Sequence, residues 1–368
     1  MTTATSAAKT TTRALVLCAI ETLSVDEVPL PAPGPSEVLL ETLACGVCGS
    51  DLRYYVGDNP WSQHTLGRQE PVDWGRTILG HEVCARVAEL GPGVTNLAAG
   101  DVVAVLPSYP CGRCAECASG NRNLCKEVSH LGHGGGWPAG YDRSHFPGAM
   151  ADRFLYFAES CFPIPEDASP DELALTDLVA VAVHAVKRAA RVRAHGLGAG
   201  ARVLIVGCGQ VGLSVAQVAR ARGASVQGID PGATAQRIAA AVKVPCASWP
   251  EDEATRDDFD AVFDTVCTPE TIQAALDRLA AGGVLVLLAP HDMSYGIPPL
   301  AVGGERAVTT SCNFDPPEDF QEAIGLIAAR TVDVRPYITR RVPLADAPAT
   351  FAQLHASRET DFKVIITP

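Results

Sequence analysis

The chain has 368 residues, 47% of them hydrophobic, with 33 glycines and 27 prolines spread along its length. That describes a loop-rich globular protein of about two domains and excludes a disordered or fibrous one. A formal net charge of -13 with no basic stripe would repel a phosphate backbone, so nucleic acid is excluded as a partner, and the lack of a long apolar run excludes a membrane span.

Met1 to Thr12 are mostly Thr, Ala and Ser, without the apolar segment of a secretory signal, and are expected to be a frayed tail on a cytoplasmic protein. The 13 cysteines, an odd count in a long chain, argue for reduced thiols and metal ligands over a disulfide framework.

From Arg13 to about Leu106, short apolar runs such as Val38 to Leu43 and Asp101 to Val105 are separated by turn clusters at Pro31 to Pro35 and Gly91 to Gly93. This spacing predicts a β-rich, partly barrel-like unit. It carries Cys45-Gly-Val-Cys48-Gly-Ser50-Asp51 and Gly80-His81-Glu82. Either segment alone is weak evidence, since a single cysteine or histidine in apolar surroundings more often fills a core than binds a metal.

Next come Cys111, Cys114, Cys117 and Cys125, in the pattern C-x-x-C-x-x-C-x7-C. Four thiolates this close can wrap one tetrahedral zinc, and a closed all-thiolate site leaves no position for substrate, so its role is structural. Pro110, Gly112 and Gly120 supply the tight turns.

From about Leu178 to Asn313 the pattern changes. Buried strands at Val203 to Val206, Val226 to Ile229, Ala261 to Phe263 and Val284 to Leu288 alternate with helical stretches, which predicts a parallel sheet with crossover helices. Gly207, Gly209 and Gly212 form G-x-G-x-x-G, with Gln210 and Val211 inside it, directly after the first strand and opening a helix. A pyrophosphate then fits at the helix N-terminus. The next strand ends at Asp230, whose carboxylate can accept from both ribose hydroxyls and repel a 2'-phosphate, favouring NAD over NADP. Arg237 is the counter-argument, being near enough to welcome a phosphate; its preferred reading is an exposed helix charge or a cap on the adenine face.

An amphipathic helix with Phe320, Ala323, Ile324 and Ile327 on one face comes next. The chain ends in the strand-like Phe362 to Thr367, expected to rejoin the first domain. The expected division is 1–177 for the first domain, with the cysteine lobe at about 108–127, then 178–315 for the dinucleotide domain and 316–368 for the return.

Taken in order, C-G-x-C-G-S-D, G-H-E, the four-cysteine lobe and the glycine fingerprint resemble the zinc-containing medium-chain dehydrogenase/reductase family, from Arg13 onward. The resemblance implies an α/β protein, with a Rossmann-type doubly wound parallel sheet domain plus a β-rich GroES-like catalytic domain. It implies hydride transfer between a secondary alcohol (a polyol, sugar or cyclic alcohol) and NAD, with one catalytic and one structural zinc per subunit. It also implies a homo-oligomer, paired through the strand near Val284 to Leu288 or its neighbour.

By the same resemblance Cys48, the cysteine before G-S-D, and His81 bind the catalytic zinc, and Cys45 is a neighbour. Asp177 is taken as the third ligand, with capping of the adjoining helix as the alternative. Glu82 and Asp51 resemble carboxylates that orient the ligands, and Glu82 is also a candidate ligand. Ser50 resembles the hydroxyl that passes the alcohol's proton outward, Val211 the residue pressing on the nicotinamide, and Lys363 a basic contact to the pyrophosphate.

Two departures stand out. Many relatives carry a histidine five residues after the zinc cysteine, where this chain has Arg53, and a guanidinium cannot accept the proton. The segment between Cys48 and His81 is enlarged and holds Tyr54, Tyr55, Trp61, His64 and Trp74. With His133, Trp137, Tyr141 and His145 these rings either wall a pocket for a polar ring or polyol, or pack loops onto the barrel. His184 and Cys84 are read as core residues. Competing functions are a non-catalytic, zinc-stabilised NAD-binding protein and a zinc-independent enone or quinone reductase. The intact ligand sets argue against both.

Overall fold

The computed structural model describes residues 10–59, 71–133, 145–193, 196–248, 259–289, 295–357 and 361–368. The chain opens with an antiparallel hairpin of β1 (Thr10–Ala19) and β2 (Thr22–Leu30). Alternate β1 side chains go to opposite faces: Leu15 and Leu17 join a large core, while Ala14 and Val16 pack with Val28, Ile78 and Ala151.

β3 (Glu37–Gly46) leads into the short helix α1 (Gly49–Tyr55), and β4 (Glu82–Leu90) and β5 (Val102–Val105) come after it. The cysteine lobe lies between β6 (Ser108–Tyr109) and β7 (Ser129–His130) and contains α2 (Ala115–Ala118). β8 (Arg153–Phe157) and β9 (Cys161–Pro163) complete this part of the first domain.

After α3 (Pro170–Leu173) runs α4 (Thr176–Val192), whose Leu178, Val179, Ala182, Val183, Val186 and Ala189 are buried. Its alanines let neighbours approach closely, and it shares one core cluster with Ala44, Cys84 and Ala104 of the first domain and with Val203 and Ile205 of the second. The expected boundary at 177/178 therefore falls in the first turn of a helix that both domains pack against.

The second domain contains β10 (Arg202–Val206), α5 (Gln210–Ala221), β11 (Ser225–Ile229), α6 (Ala233–Ala241), β12 (Cys246–Ala247), β13 (Phe259–Asp264), α7 (Pro269–Asp277), β14 (Leu279–Leu287) and β15 (Ala307–Thr310). Its strands are ordered β12-β11-β10-β13-β14-β15, all pairs parallel. Numbered within the domain this is 3-2-1-4-5-6, the doubly wound Rossmann order, with its crevice at the switch point between β10 and β13, where the strand order reverses. The strand over Val284 to Leu287 is thus interior, and β15 is the edge. Of the two strands named for subunit pairing, only the neighbour is available.

α8 (Glu318–Ala328) buries Phe320, Ala323 and Ile327. The chain then forms β16 (Ile338–Pro343), α9 (Ala347–Ala356) and β17 (Lys363–Thr367). β17 pairs antiparallel with β3, Ile365 opposite Gly46 and Ile366 opposite Cys45, and so closes the sheet β16-β17-β3-β4-β5-β9 of the first domain. No described helix is long and apolar enough to cross a membrane.

Candidate active site

The lobe brings the four sulfurs of Cys111, Cys114, Cys117 and Cys125 within 4.8 Å of one another. The Cys111 backbone N–H donates to Cys125 Sγ at 3.3 Å, and the Cys114 and Cys125 sulfurs are 3.9 Å apart. Hydrogen bonds led by that from the Arg113 backbone N–H pull the Cys111 thiol down to about 7, whereas burial pushes Cys125 up to about 12. Four converging sulfurs fit a closed zinc site.

The second cluster forms where α1 meets the start of β4. Cys48 precedes α1, and Asp51, in the helix's first turn, accepts from the Cys48 N–H at 2.8 Å and from the Gly80 N–H at 3.3 Å. One fully buried carboxylate therefore ties the Cys48 and His81 segments together. The ligand atoms of Cys48, His81 and Glu82 lie within 4.8 Å of one another. His81 Nδ1 lies 3.6 Å from Asp51 Oδ1, and Nε2 lies 3.5 Å from Ser50 Oγ. Burial pulls the His81 imidazole down, but the charges of Asp51 and Cys48 outweigh it and hold the group well above its ordinary value. A thiolate, an imidazole and a carboxylate, with no fourth protein ligand among the described residues in the set, suit an open zinc site.

Asp177 stands just outside this set, in the first turn of α4. Burial pushes its carboxyl up to about 7, opposed by His81 and reinforced by Glu82. The structure groups Glu82, itself a candidate ligand in the sequence, with Cys48 and His81 and leaves Asp177 outside the set. Cys45 is buried in the core beside them.

Lys363 is buried beside the metal cluster. Its side chain is 0% exposed, and its ammonium donates to Glu82 Oε2 at 2.6 Å and to the Val47 carbonyl at 3.0 Å. The β17–β3 register places its ammonium beside Glu82, whose charge it neutralises, rather than at the surface. Lys363→Met is expected to leave a buried carboxylate without its counter-charge and to cost about 3–5 kcal/mol. The urea midpoint reads this, and an unchanged midpoint would remove the pair from the fold's stability.

His130 was missed in the sequence. Its ring stacks on His133 at 4.0 Å between centroids, and the His133 ring is 4.7 Å from His81 and 5.1 Å from Tyr54. Burial, aided by neighbouring imidazoles, pushes His130 and His133 well below their ordinary values, so both rings are neutral. The S-H-L-G-H spacing just after the lobe was the available signal.

Tyr54, whose hydroxyl donates to Asn59 Oδ1 at 2.7 Å, belongs to this wall. Tyr55 instead packs on Phe351 and His355. Trp74 is 38% exposed, and His145 is half-buried. Trp61, His64, Trp137 and Tyr141 lie outside the described residues. Arg53 donates through Nε to Asp58 at 2.7 Å. His184 pairs with Asp319 at 2.8 Å, and Cys84 is buried in the core.

At the dinucleotide crevice, α5 starts from the Gly207–Gly212 loop. A Cβ on Gly212 would run into the Gly207 carbonyl oxygen, so only glycine permits this helix to meet the strand. Asp230 accepts from the Cys208 N–H at 2.8 Å and the Gly232 N–H at 2.7 Å. Those bonds hold the carboxylate in place while each oxygen keeps a lone pair for a ribose hydroxyl. Gln210 donates to the Phe362 carbonyl, Val211 is half-buried at the start of α5, and Arg237 is exposed on α6.

Residues 34–166 match the model of the alcohol dehydrogenase GroES-like domain, and residues 211–329 that of the zinc-binding dehydrogenases. The chain belongs to the zinc-containing medium-chain dehydrogenase/reductase family. The dehydrogenase is 29% identical over 345 residues to L-idonate 5-dehydrogenase of Vitis vinifera, covering 88% of this chain and 86% of that one. It is 26% identical over 359 residues to L-galactonate-5-dehydrogenase of Escherichia coli K12, covering 92% and 94%. Among solved structures, a provisionally named zinc-binding dehydrogenase of Sinorhizobium meliloti 1021 bound to NADP superposes with a TM-score of 0.82 at 26% identity, covering 98% of this chain and 100% of that one. The dehydrogenase is therefore an enzyme, an oxidoreductase acting on alcohols with zinc.

Proposed function

We propose that the enzyme reversibly oxidises a secondary alcohol within a polyol, sugar or sugar acid, with NAD as the preferred coenzyme and two zincs per chain. The observation that carries this reading is the open cluster of Cys48, His81 and Glu82 walled by polar rings. His130 and His133 pack against His81, with Tyr54 against His133, where a site for simple alkanols would have aliphatic walls. The L-idonate and L-galactonate dehydrogenases among its relatives act on polyhydroxylated acids, as their names state.

When bound, zinc supplies Lewis acidity at the substrate oxygen, and the nicotinamide accepts hydride. Cys48, His81 and a carboxylate would hold the metal, Glu82 in the arrangement seen and Asp177 close enough to feel the same charges. Asp51 fixes the Cys48 and His81 segments. Ser50 stands beside His81, placed to take the substrate's proton. Neutral His130 and His133 present ring nitrogens to the substrate's other hydroxyls. Gly207, Gly209, Gln210, Val211 and Gly212 would cradle the pyrophosphate, and Asp230 would hold the ribose. Arg237 is expected to cover the adenine, and Lys363 to neutralise Glu82.

The test is a panel of polyols, aldoses, sugar acids and secondary alcohols monitored by reduced-nicotinamide absorbance. Turnover should be highest on polyhydroxylated substrates, with kcat/KM greater for NAD than NADP. Asp230→Ala should narrow that preference. Zinc and nucleotide binding without turnover on any alcohol would refute the reading, and a preference for NADP would transfer the ribose assignment to Arg237.

The same reading includes a homo-oligomer paired through β15, the exposed edge of the second sheet. Light scattering that returns an active particle of one chain's mass would exclude it.

A further inference from the structure

The glycine loop between β10 and α5 carries a thiol to which the coenzyme reading gives no task. Cys208 stands between Gly207 and Gly209 and is 0% exposed. The loop folds over β11, where the Gly207 N–H donates to the Ile229 carbonyl at 2.9 Å. On the far side of β11 is β12, an edge strand of the sheet, in which Cys246 is the register partner of Gly228. Gly228 lets the two cysteines meet. A Cβ there would collide with Cys208 Sγ and lie 3.6 Å from Cys246 Cβ, so thiols from both sides fill the space that a side chain would take. They hydrogen-bond each other across it.

The two sulfurs differ in access. Cys208 is sealed beneath the loop, whereas Cys246 is half-buried on an edge strand and is the one that a small oxidant reaches. Burial raises both thiols, and for Cys246 the bond to Cys208 opposes that rise. Cys246 is therefore the better nucleophile of the pair, and neither reacts with the speed of an exposed thiolate. Such a pair stays reduced through brief exposure and responds to sustained oxidation.

We infer that Cys208 and Cys246 form a disulfide under oxidising conditions and that this bond weakens coenzyme binding. With hydrogen peroxide as oxidant, the Cys246 thiolate attacks one peroxide oxygen, giving a sulfenic acid and, after protonation of the departing hydroxide, water. The Cys208 sulfur then displaces the sulfenic hydroxyl, which leaves as a second water with the Cys208 proton. Two thiols and one peroxide become one disulfide and two waters.

The consequence for the coenzyme rests on the proposed dinucleotide reading. The Cys208 N–H donates to Asp230 Oδ2 at 2.8 Å, and the Asp230 N–H donates to the Ala247 carbonyl at 2.9 Å. The loop, the carboxylate proposed for the ribose and β12 are thus one hydrogen-bonded unit. Bringing the sulfurs to the covalent separation of about 2.05 Å draws the loop toward β12 and disturbs the bond that holds Asp230.

The test treats the reduced, zinc-loaded holoenzyme with hydrogen peroxide, maps cross-linked peptides by mass spectrometry and titrates NADH and NADPH by fluorescence. A peptide linking Cys208 to Cys246 should accumulate. The affinity for whichever dinucleotide binds more tightly should fall about tenfold or more, the effect of a lost hydrogen bond to a charged group, and a phosphine reductant should restore it. Cys246→Ser should bind that dinucleotide as the untreated wild type does and keep its affinity through the peroxide treatment. Absence of the cross-link, a cross-link that leaves affinity unchanged, or an equal loss in Cys246→Ser would overturn the inference. Failure of the reduced wild type to bind either dinucleotide would instead overturn the coenzyme reading on which the switch rests.

Discussion

Cys114→Ser is expected to lose the zinc proposed for the cysteine lobe and to collapse that lobe, with a large fall in melting temperature. The lobe has almost no apolar core of its own. Its buried cluster consists of Cys117, Cys125 and Val128, with Cys111 and Cys114 packed against it, and Leu124 is 48% exposed. α2 is a single turn, far shorter than a helix that persists without tertiary support. In isolated zinc-finger peptides the metal contributes about 10–16 kcal/mol, and a lobe with this composition depends on its metal in the same way.

The damage should spread. Asn123 donates to the Cys312 carbonyl at 3.3 Å and Arg122 to the Pro316 carbonyl at 3.1 Å, so the lobe braces the segment just after β15. Coenzyme affinity should therefore fall along with stability. Metal analysis, thermal unfolding and proteolysis within 108–127 measure the effect. A variant that melts like the wild type would show that the lobe is held by contacts other than the metal.

The contrast between the features legible in the sequence and those hidden from it comes from the range of the interactions. The lobe's ligands are neighbours in the chain, so their spacing alone predicts one site. Four Rossmann strands are apolar runs, visible because a parallel sheet is buried on both faces. β15 was not visible: Ala307, Val308 and Thr309 are only half-buried at the sheet edge, and no apolar run marks them.

The site shows the same division. Cys48 and His81 are marked by their glycine-bounded segments, but the carboxylate that joins them depends on how α4 and β4 approach each other. Glu82 starts β4 beside His81, whereas Asp177 comes from the helix that both domains pack against. The Lys363–Glu82 pair is hidden from the sequence for a related reason. Strand register decides whether a terminal lysine points to the rim or beneath the floor, and the pairing of Ile365 with Gly46 is a tertiary fact. His130 looks like a loop residue until the turn at 131–133 packs on Gly80, where a Cβ on Gly132 would strike the Gly80 backbone.

Ser50→Ala is expected to leave zinc and coenzyme bound yet slow alcohol oxidation by about 10²- to 10⁴-fold, the range of a lost acid–base group. The hydroxyl sits 3.5 Å from His81 Nε2, close to the metal set without being part of it, so its removal should spare the fold. Arg53, nearly one turn later on α1, makes the hydroxyl more important. The guanidinium keeps its charge and is bound to Asp58, so it cannot receive the proton that Ser50 passes on. Water or the coenzyme ribose must take it. Ser50→Thr, which preserves the hydroxyl, should retain most of the rate, whereas Arg53→His should change the pH profile of kcat by adding a titrating acceptor and releasing Asp58. The decisive comparison is kcat against pH for the wild type and the three variants. A Ser50→Ala enzyme with the wild-type kcat at every pH would show that solvent in the pocket takes the proton directly and that the hydroxyl has no part in it.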